Sequence, residues 1–296
     1  MKNRFQNIRC QEANFQEAEF SEADLREANF WGTNFKGAVF QEAELPGADL
    51  LEANLQNAVL WKANLQGADL WKANLQNAVL VEVNLQDADL QKAKLRNANL
   101  QEANLQNANL RQSNLIEANL QGADLRGADL RGADIWKANL RNANLTGADL
   151  QLADLMRANL QNTIFQNADL WRAIFQNADL TGANLCNADL TGADLRDAML
   201  WKTNLRNADL WRANLQDAVL QRANLQNAIL IGADLTGTDL RKARGLTIGQ
   251  LADTRHLHLS ELDKNLVRKI RRYDPHLLLK SDPPCFYPSN FSNQLI

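Results

Sequence analysis

Histidine is the side chain best suited to acid–base chemistry near neutral pH, and this chain contains three. They are His256, His258 and His276, and all of them lie near the C-terminal end of the sequence. His256 and His258 could share a metal ion, but no set of Cys, Asp or Glu residues stands beside them at a ligand spacing. We therefore expect surface or capping histidines, with no catalytic residue, no metal site and no cofactor.

The remaining reactive residue types do not form a site in the sequence either. Asp and Glu recur at fixed steps, which indicates solvated surface groups rather than a catalytic acid–base pair. The three cysteines, Cys10, Cys186 and Cys285, are too few and too scattered for a disulfide framework or a metal knot. No glycine motif that cradles phosphate occurs. The expected protein is not an enzyme.

The seven tryptophans are the most distinctive side chains, and six of them directly precede Lys or Arg, as in Trp61-Lys62. Tryptophan and arginine are over-represented at protein-binding hot spots. Two interpretations remain open. The rings either bind a partner or lie flat on neighbouring side chains and shield the surface. Stacking on single-stranded nucleic acid is a third use of such pairs, but residues 1–240 carry 22 basic and 30 acidic residues, which argues against it.

A five-residue period in the sequence indicates the elements that must position these rings. From Phe15 to Leu240, every fifth residue is Leu or Phe, except for Ile135. Two positions earlier, from Ala13 to Ala243, the residue is Ala with six exceptions, and the residue between is mostly Asn or Asp. A helix would spread such leucines around its whole circumference, and a flat strand needs a period of two. The pattern predicts short extended sides joined by corners, with Leu and Ala pointing inward.

The motif Ala-(Asn/Asp)-Leu-x-x resembles the repeat of the pentapeptide-repeat family over roughly four-fifths of the chain. The resemblance implies an all-β solenoid, a right-handed quadrilateral β-helix of about twelve coils, each made of four pentapeptides. Val39, Val59 and Val79 are separated by one such coil length each, which supports that length independently. We expect residues 1–243 to form the β-helix and residues 244–296 to form a small C-terminal α-helical cap with an irregular tail.

Both ends of the rod carry sequence signals. Thr247 and Gln250 predict a capping box at the start of a short helix. A second helix is predicted to begin near Ser260, with Leu262, Leu266 and Ile270 at helical spacing, and to stop at Pro275. Phenylalanine is concentrated in the first coils, where it either fills a wider interior or marks an open end that binds another molecule.

Folded onto coils of four pentapeptides, the outward apolar residues form two zones, one toward each end, separated by a polar middle. The candidate protein-binding surface comprises Trp31, Leu51, Val59, Trp61, Trp71, Val79, Trp171, Trp201 and Trp211. The leading hypothesis is a non-enzymatic scaffold that binds a protein partner, with a homodimer also open. Nucleic acid is not an expected partner. The absence of an apolar leader or any long apolar run predicts a cytoplasmic protein without membrane contact.

The family resemblance implies two alternative functions. Some pentapeptide-repeat proteins mimic B-DNA and occupy the DNA site of type II topoisomerases such as gyrase, which requires a continuous acidic surface. Here Lys and Arg interleave with the acidic positions, for example at Arg111 and Arg131. Some cyanobacterial relatives regulate cell differentiation, and the sequence does not separate that role from partner binding.

Overall fold

Backbone pairing in the computed structural model, which describes residues 5–279, joins each side of a coil to the equivalent side four repeats later. Asn29, for example, forms parallel bridges to Arg9 and to Asp49, and the same pairing recurs at every repeat until Asn224 pairs with Arg244. Each coil therefore has four sides, and each side contributes a single bridging residue. The β-solenoid expected from the sequence period is the observed architecture.

Three backbone hydrogen bonds per side join each coil to the next. The amide of Leu50 donates to the carbonyl of Asp69 (2.7 Å), and that of Glu52 donates to Trp71 (2.9 Å). The amide of Asp69 donates in return to the carbonyl of Ala48 (2.9 Å). Because these bonds use most of the main-chain polar groups, the fold needs no long strands.

Every corner is a tight turn closed by one further hydrogen bond. The amide of Ala53 donates to the carbonyl of Leu50 (3.0 Å), and Glu52, the second corner residue, has φ of +57°. A positive φ at this position alone defines a type II turn. The second corner residue has positive φ in every repeat from Asn7 to Lys242. The requirement explains why Asn and Gly are frequent there, since they adopt this region at the least cost.

The interior is a stack of Leu and Ala side chains with almost no solvent exposure, as the sequence predicted. Near the N-terminal end, the ring of Phe15 stacks on Phe35 at 5.6 Å and that of Phe20 stacks on Phe40 at 5.1 Å. These contacts agree with phenylalanine filling the first coils. The alternative, an open end that binds another molecule, stays a prediction.

Small polar residues replace Ala at five inward positions, and four of them differ from the fifth in the hydrogen bonding of the hydroxyl. Thr33, Thr163, Thr203 and Thr238 are buried, and each hydroxyl donates to a carbonyl 23 residues earlier at 2.6–2.9 Å. The hydroxyl of Ser113 is buried and, among residues 5–279, has no hydrogen-bond partner. Ser113 therefore carries the cost of removing a polar group from water without compensation.

After the last repeat the chain crosses the end of the solenoid in two short α-helices. Helix α1 spans Ile248–Ala252 and begins with the predicted capping box, in which the amide of Gln250 donates to the Thr247 hydroxyl. The Gln250 side chain also donates to two main-chain carbonyls of the preceding coil, at 2.9 Å each. Gly245, with φ of +78°, makes the turn into this segment, and a Cβ there would lie 2.6 Å from the Gln226 backbone.

Helix α2 begins later than predicted, and spans Lys264–Tyr273. The expectation of a start near Ser260 was wrong because Glu261 pairs with Asp239 in a further bridge. Short 3₁₀ turns lie at Leu257–Leu259 and Pro275–Leu278. The tail predicted to be irregular lies outside the described residues. No helix in residues 5–279 is long and apolar enough to cross a membrane.

Removing the unpartnered hydroxyl should stabilise the rod. We expect Ser113→Ala to raise the free energy of unfolding by about 1 kcal/mol, because a buried unsatisfied group is lost. Thr163→Val is the matched control and should lower it by about 1 kcal/mol, because its hydroxyl donates to the Leu140 carbonyl at 2.8 Å. Guanidinium unfolding followed by circular dichroism measures both, and a less stable Ser113→Ala variant would contradict the assignment.

Candidate interaction surfaces

Two opposite corners of the coil carry six of the seven tryptophans. Corner A, formed by residues 11–12 and the equivalent pair of each later coil up to 231–232, carries Trp31, Trp71, Trp171 and Trp211. Corner B, formed by residues 21–22 and the equivalent pair of each later coil up to 241–242, carries Trp61 and Trp201. Trp136 occupies a third corner, between Ile116 and Met156 of the neighbouring coils. The coil-to-coil pairing thus places the predicted aromatic residues in columns.

A basic side chain covers one face of six rings. The Lys72 ammonium lies 3.8 Å from the centroid of Trp71, and the Arg212 guanidinium lies 4.2 Å from that of Trp211. The same contact, at 4.0–4.6 Å, occurs at Trp61, Trp136, Trp171 and Trp201. Such cation–π pairs are worth about 0.5–1 kcal/mol at exposed sites. They favour ordered, partly shielded rings, and the sequence signal for them was the basic residue that follows each of these six Trp residues.

Exposure differs between the candidates. Trp31, which precedes Gly32 and has no cation over its ring among residues 5–279, is 40% exposed, and Trp211 is 39% exposed. The other Trp rings and Leu51 are half-buried. Ile231, at 50%, extends corner A toward the C-terminal end, and Ile229, at 43%, lies on the side that precedes this corner; the candidate set did not include them. Their signal in the sequence was the replacement of polar residues at two outward positions.

The side that precedes corner B, here called the valine side, has an outward column of residues 19, 39, 59 and so on to 239. Val39, Val59 and Val79 pair directly with one another, and Met199 pairs with Val219 nearer the C-terminal end. Val79 and Met199 are exposed. The residues between them include stacked asparagines, and the Asn119 amide donates to the Asn99 side chain at 3.0 Å.

Apolar residues in such a column give up two hydrogen bonds. An outward Asn or Asp usually accepts from the amide two residues later, as Asn119 does from Gln121 at 3.3 Å. It can also bond to the equivalent residue of the next coil, as in the Asn139–Asn119 pair at 3.0 Å. Valine and methionine can do neither. The substitution of apolar residues at both ends of the valine side therefore has a cost that the fold does not require.

The side that precedes corner A carries an acidic column. Eight aspartates stand there, interrupted by Asn109: Asp49, Asp69, Asp89, Asp129, Asp149, Asp169, Asp189 and Asp209. Arg131 forms ion pairs with Asp129 and, at 3.3 Å, with Asp149. Burial raises the pKa of Asp149, and the neighbouring charges of Asp169 and Asp129 raise it further against the effect of Arg131.

The histidines do not assemble a reactive site in the described residues. His256 lies 3.2 Å from the Asp234 carboxylate, and the rings of His256 and His258 are 6.3 Å apart. Within residues 5–279, no group of three or more His, Cys, Asp or Glu side chains is placed to hold a metal ion.

The repeats of this chain match the model of a known protein family. The family described as pentapeptide repeats (8 copies) matches nine overlapping segments that run from residues 4–41 to residues 210–244. The chain is therefore a member of the pentapeptide-repeat family, as the motif indicated. No curated protein matches the chain at a significant level.

Several solved structures resemble this one. HetL from the cyanobacterium Nostoc, a pentapeptide repeat protein involved in heterocyst differentiation regulation, is 38% identical, covers 78% of this chain and 91% of its own, and superposes with a TM-score of 0.41. QnrB1, a plasmid-mediated fluoroquinolone resistance protein, is 19% identical over 57% of this chain and 88% of its own, with a TM-score of 0.31.

The acidic column predicts a pH-dependent effect of Asp149→Asn. A carboxyl whose folded pKa is raised destabilises the fold above that pKa and has no effect once both states are protonated. We expect the variant to be more stable by about 0.2–1 kcal/mol at pH 7, and unchanged near pH 3. Thermal melts at the two pH values measure the difference.

Asp194→Asn is the control, because the pKa of Asp194 is shifted in the opposite direction to that of Asp149. Burial raises the pKa of Asp194, but hydrogen bonds from Arg196 and Gln176 outweigh burial and lower it overall. The stability contributed by this carboxylate is present above its unfolded pKa and is lost as the pH falls. Asp194→Asn should therefore be less stable at pH 7. Equal effects of the two substitutions at pH 7 would contradict the electrostatic assignment.

Proposed function

We propose that this protein is a non-enzymatic interaction scaffold, a stiff rod that binds a protein partner through apolar residues on its outer surface. The rod comprises residues 1–243 as about twelve right-handed coils, and residues 244–296 contain a helical cap over its C-terminal end. With coils about 4.8 Å apart, the rod is roughly 58 Å long. The proposed location is the cytoplasm.

The observation that carries this proposal is the grouping of outward apolar side chains on two opposite corners. On corner A, Trp31, Leu51 and Trp71 form one group and Trp211 with Ile231 forms another, nearer the C-terminal end. On corner B, Trp61 and Trp201 stand beside the apolar residues of the valine side. Exposed apolar groups that are clustered rather than scattered mark interaction sites on soluble proteins. Trp31 and Trp211 are the most exposed of these rings, at 40% and 39%, and Arg and Trp together are common in binding hot spots.

The candidate surface can be tested by removing its rings. We expect the double variant Trp31→Ser/Trp71→Ser to lose at least tenfold in affinity for the partner captured by the native protein, which corresponds to the loss of one hot spot. Trp136→Ser is the control from a third corner, because Trp136, like Trp71, is covered by the lysine that follows it but stacks between Ile116 and Met156, outside both corner A groups. Affinity capture from the source organism, followed by titration of the captured protein, measures both variants. Equal affinity of the double variant and the control would contradict the proposal.

The aspartate column supports a second candidate, DNA mimicry at a type II topoisomerase. Five successive aspartates from Asp129 to Asp209 are stacked along one side, which is the kind of regular negative surface that mimicry requires. Arg111 and Arg131 neutralise part of it. A gyrase supercoiling assay separates the candidates: mimicry predicts inhibition at micromolar protein, and a scaffold predicts none. A role in cell differentiation would use the same partner-binding surfaces as the scaffold.

A further inference from the structure

The valine side and corner B each carry an apolar group toward either end of the rod. In both cases the two groups lie at similar distances from the middle of the rod. Val39, Val59 and Val79 are centred on residue 59, and Met199 and Val219 are centred on residue 209, so their midpoint lies near residue 134. Trp61 adjoins the first group and Trp201 adjoins the second. The hydrogen-bonded asparagines between the two groups run from residue 99 to residue 159 and are centred on residue 129.

Charge along corner B changes sign about nearly the same centre. The second corner position holds Glu22, Glu42, Glu82 and Glu102 toward the N-terminal end and Lys202, Arg222 and Lys242 toward the C-terminal end. All seven side chains are exposed, and neutral residues occupy the four positions between the two groups. Lys62 is the one exception in the acidic group, and it forms an ion pair with Glu82 at 3.6 Å.

At the basic end of corner B, the C-terminal segment supplies one acidic neighbour, because the Asp263 carboxylate accepts a hydrogen bond from the Lys242 main-chain amide at 2.8 Å. Within residues 5–279, no carboxylate forms an ion pair with Lys202, Arg222 or Lys242. Lys202 and Arg222 lie on the rim of a groove of about 660 Å³ that is also lined by Asn204, Asn224 and Arg244. No carboxylate lines this groove. Lys202 and Arg222 are stacked cations that no carboxylate contacts in the described part of the chain, so they repel each other, and an acidic surface of another molecule would relieve that repulsion.

A second copy of the chain, related to the first by a two-fold axis, has such an acidic surface. If the axis lies across the rod, in the plane of contact, it keeps corner B opposite corner B and reverses the direction of the second rod. Each acidic end then meets a basic end, and each valine group meets the Met199–Val219 group. An isologous contact requires this kind of self-complementary surface.

We propose that two copies of this chain associate side by side and antiparallel through the valine side and corner B. This inference rests on the proposed role of the outward apolar groups in binding, and it names a second copy as the occupant of one surface. The column from Val39 to Val219 extends about 43 Å, and a contact about 16 Å wide would bury roughly 700 Å² per copy. That area is close to the amount that a standard specific interface buries on each partner.

Charge reversal tests the arrangement. We expect the native protein to sediment at about twice its chain mass of 33.2 kDa at low salt, and to dissociate as salt is raised. Glu42→Lys/Glu82→Lys and Lys202→Glu/Arg222→Glu should each weaken association at least tenfold, because both ends of the contact become repulsive. An equimolar mixture of the two variants should restore the dimer, since every reversed group then faces a group of opposite sign.

A matched control reverses charge on the opposite corner. Glu12→Lys/Glu52→Lys makes the same change in net charge at corner A and, like the Glu82 substitution, breaks one ion pair, here between Glu52 and Lys72 at 3.2 Å. It should leave the dimer intact. Circular dichroism melts establish that all variants remain folded. A monomer at every concentration, or a dimer that survives both corner B reversals, would overturn the proposal.

The direction of the second copy can be measured with spin labels. In a background with Cys10, Cys186 and Cys285 replaced, a label at Asn142→Cys should give a distance between copies below about 25 Å, because it lies near the axis. A label at Ser21→Cys should give about 55 Å. Short distances at both positions would indicate parallel rods and would refute the antiparallel arrangement.

The two proposals fail separately. Loss of dimerisation with retained dependence of partner capture on Trp31 and Trp71 would remove the dimer and leave the scaffold function in place. A protein that dimerises but captures no partner would remove the scaffold function and leave the dimer in place. Binding of a small anion, such as inorganic phosphate, in the groove of a protein that stays monomeric would also count against the dimer.

Discussion

The structure depends on one hydrogen bond repeated at every corner, from the amide of the small inward residue to the carbonyl of the preceding inward Leu or Phe. This bond closes a turn in which the second residue must have positive φ. It limits each side to a short extended segment, so that four repeats complete one coil. The interior columns, the outward columns and the direct stacking of equivalent residues all follow from that geometry.

A strict register makes each outward column an independent surface. Substitution at one column changes the surface on one side, since equivalent residues of successive coils pair with one another and the Leu and Ala side chains point the other way, into the interior. The aspartate column, the valine side and the two tryptophan corners coexist on one rod for this reason. Polar columns add amide-to-amide hydrogen bonds between coils, whereas apolar columns give these up, so the apolar columns are the better guide to binding.

Much of the fold could be predicted from the sequence because the period never slips between Phe15 and Leu240. The inward positions and the capping box at Thr247 followed from residue type and spacing, whereas the coil length came from the family resemblance and was supported by the spacing of Val39, Val59 and Val79. The start of α2 did not, because Glu261 pairs with Asp239, more than one coil earlier in the chain, and helical spacing cannot reveal such a contact. The sequence also placed the tryptophans outward and showed a basic residue after six of them, but it did not show that the Lys72 ammonium lies 3.8 Å from the Trp71 ring centroid or that Trp31 is 40% exposed.

Because all repeats have the same length and backbone conformation, the number of repeats can change without disrupting the interior. Deleting four consecutive repeats would shorten the molecule by one coil and keep every remaining surface aligned, because the same columns would rejoin. Deleting a single repeat would preserve the leucine interior equally well, yet it would rotate everything downstream by a quarter turn and bring the C-terminal part of the valine side beneath a different side. Natural variation in length should therefore preserve these surfaces only when it comes in whole coils.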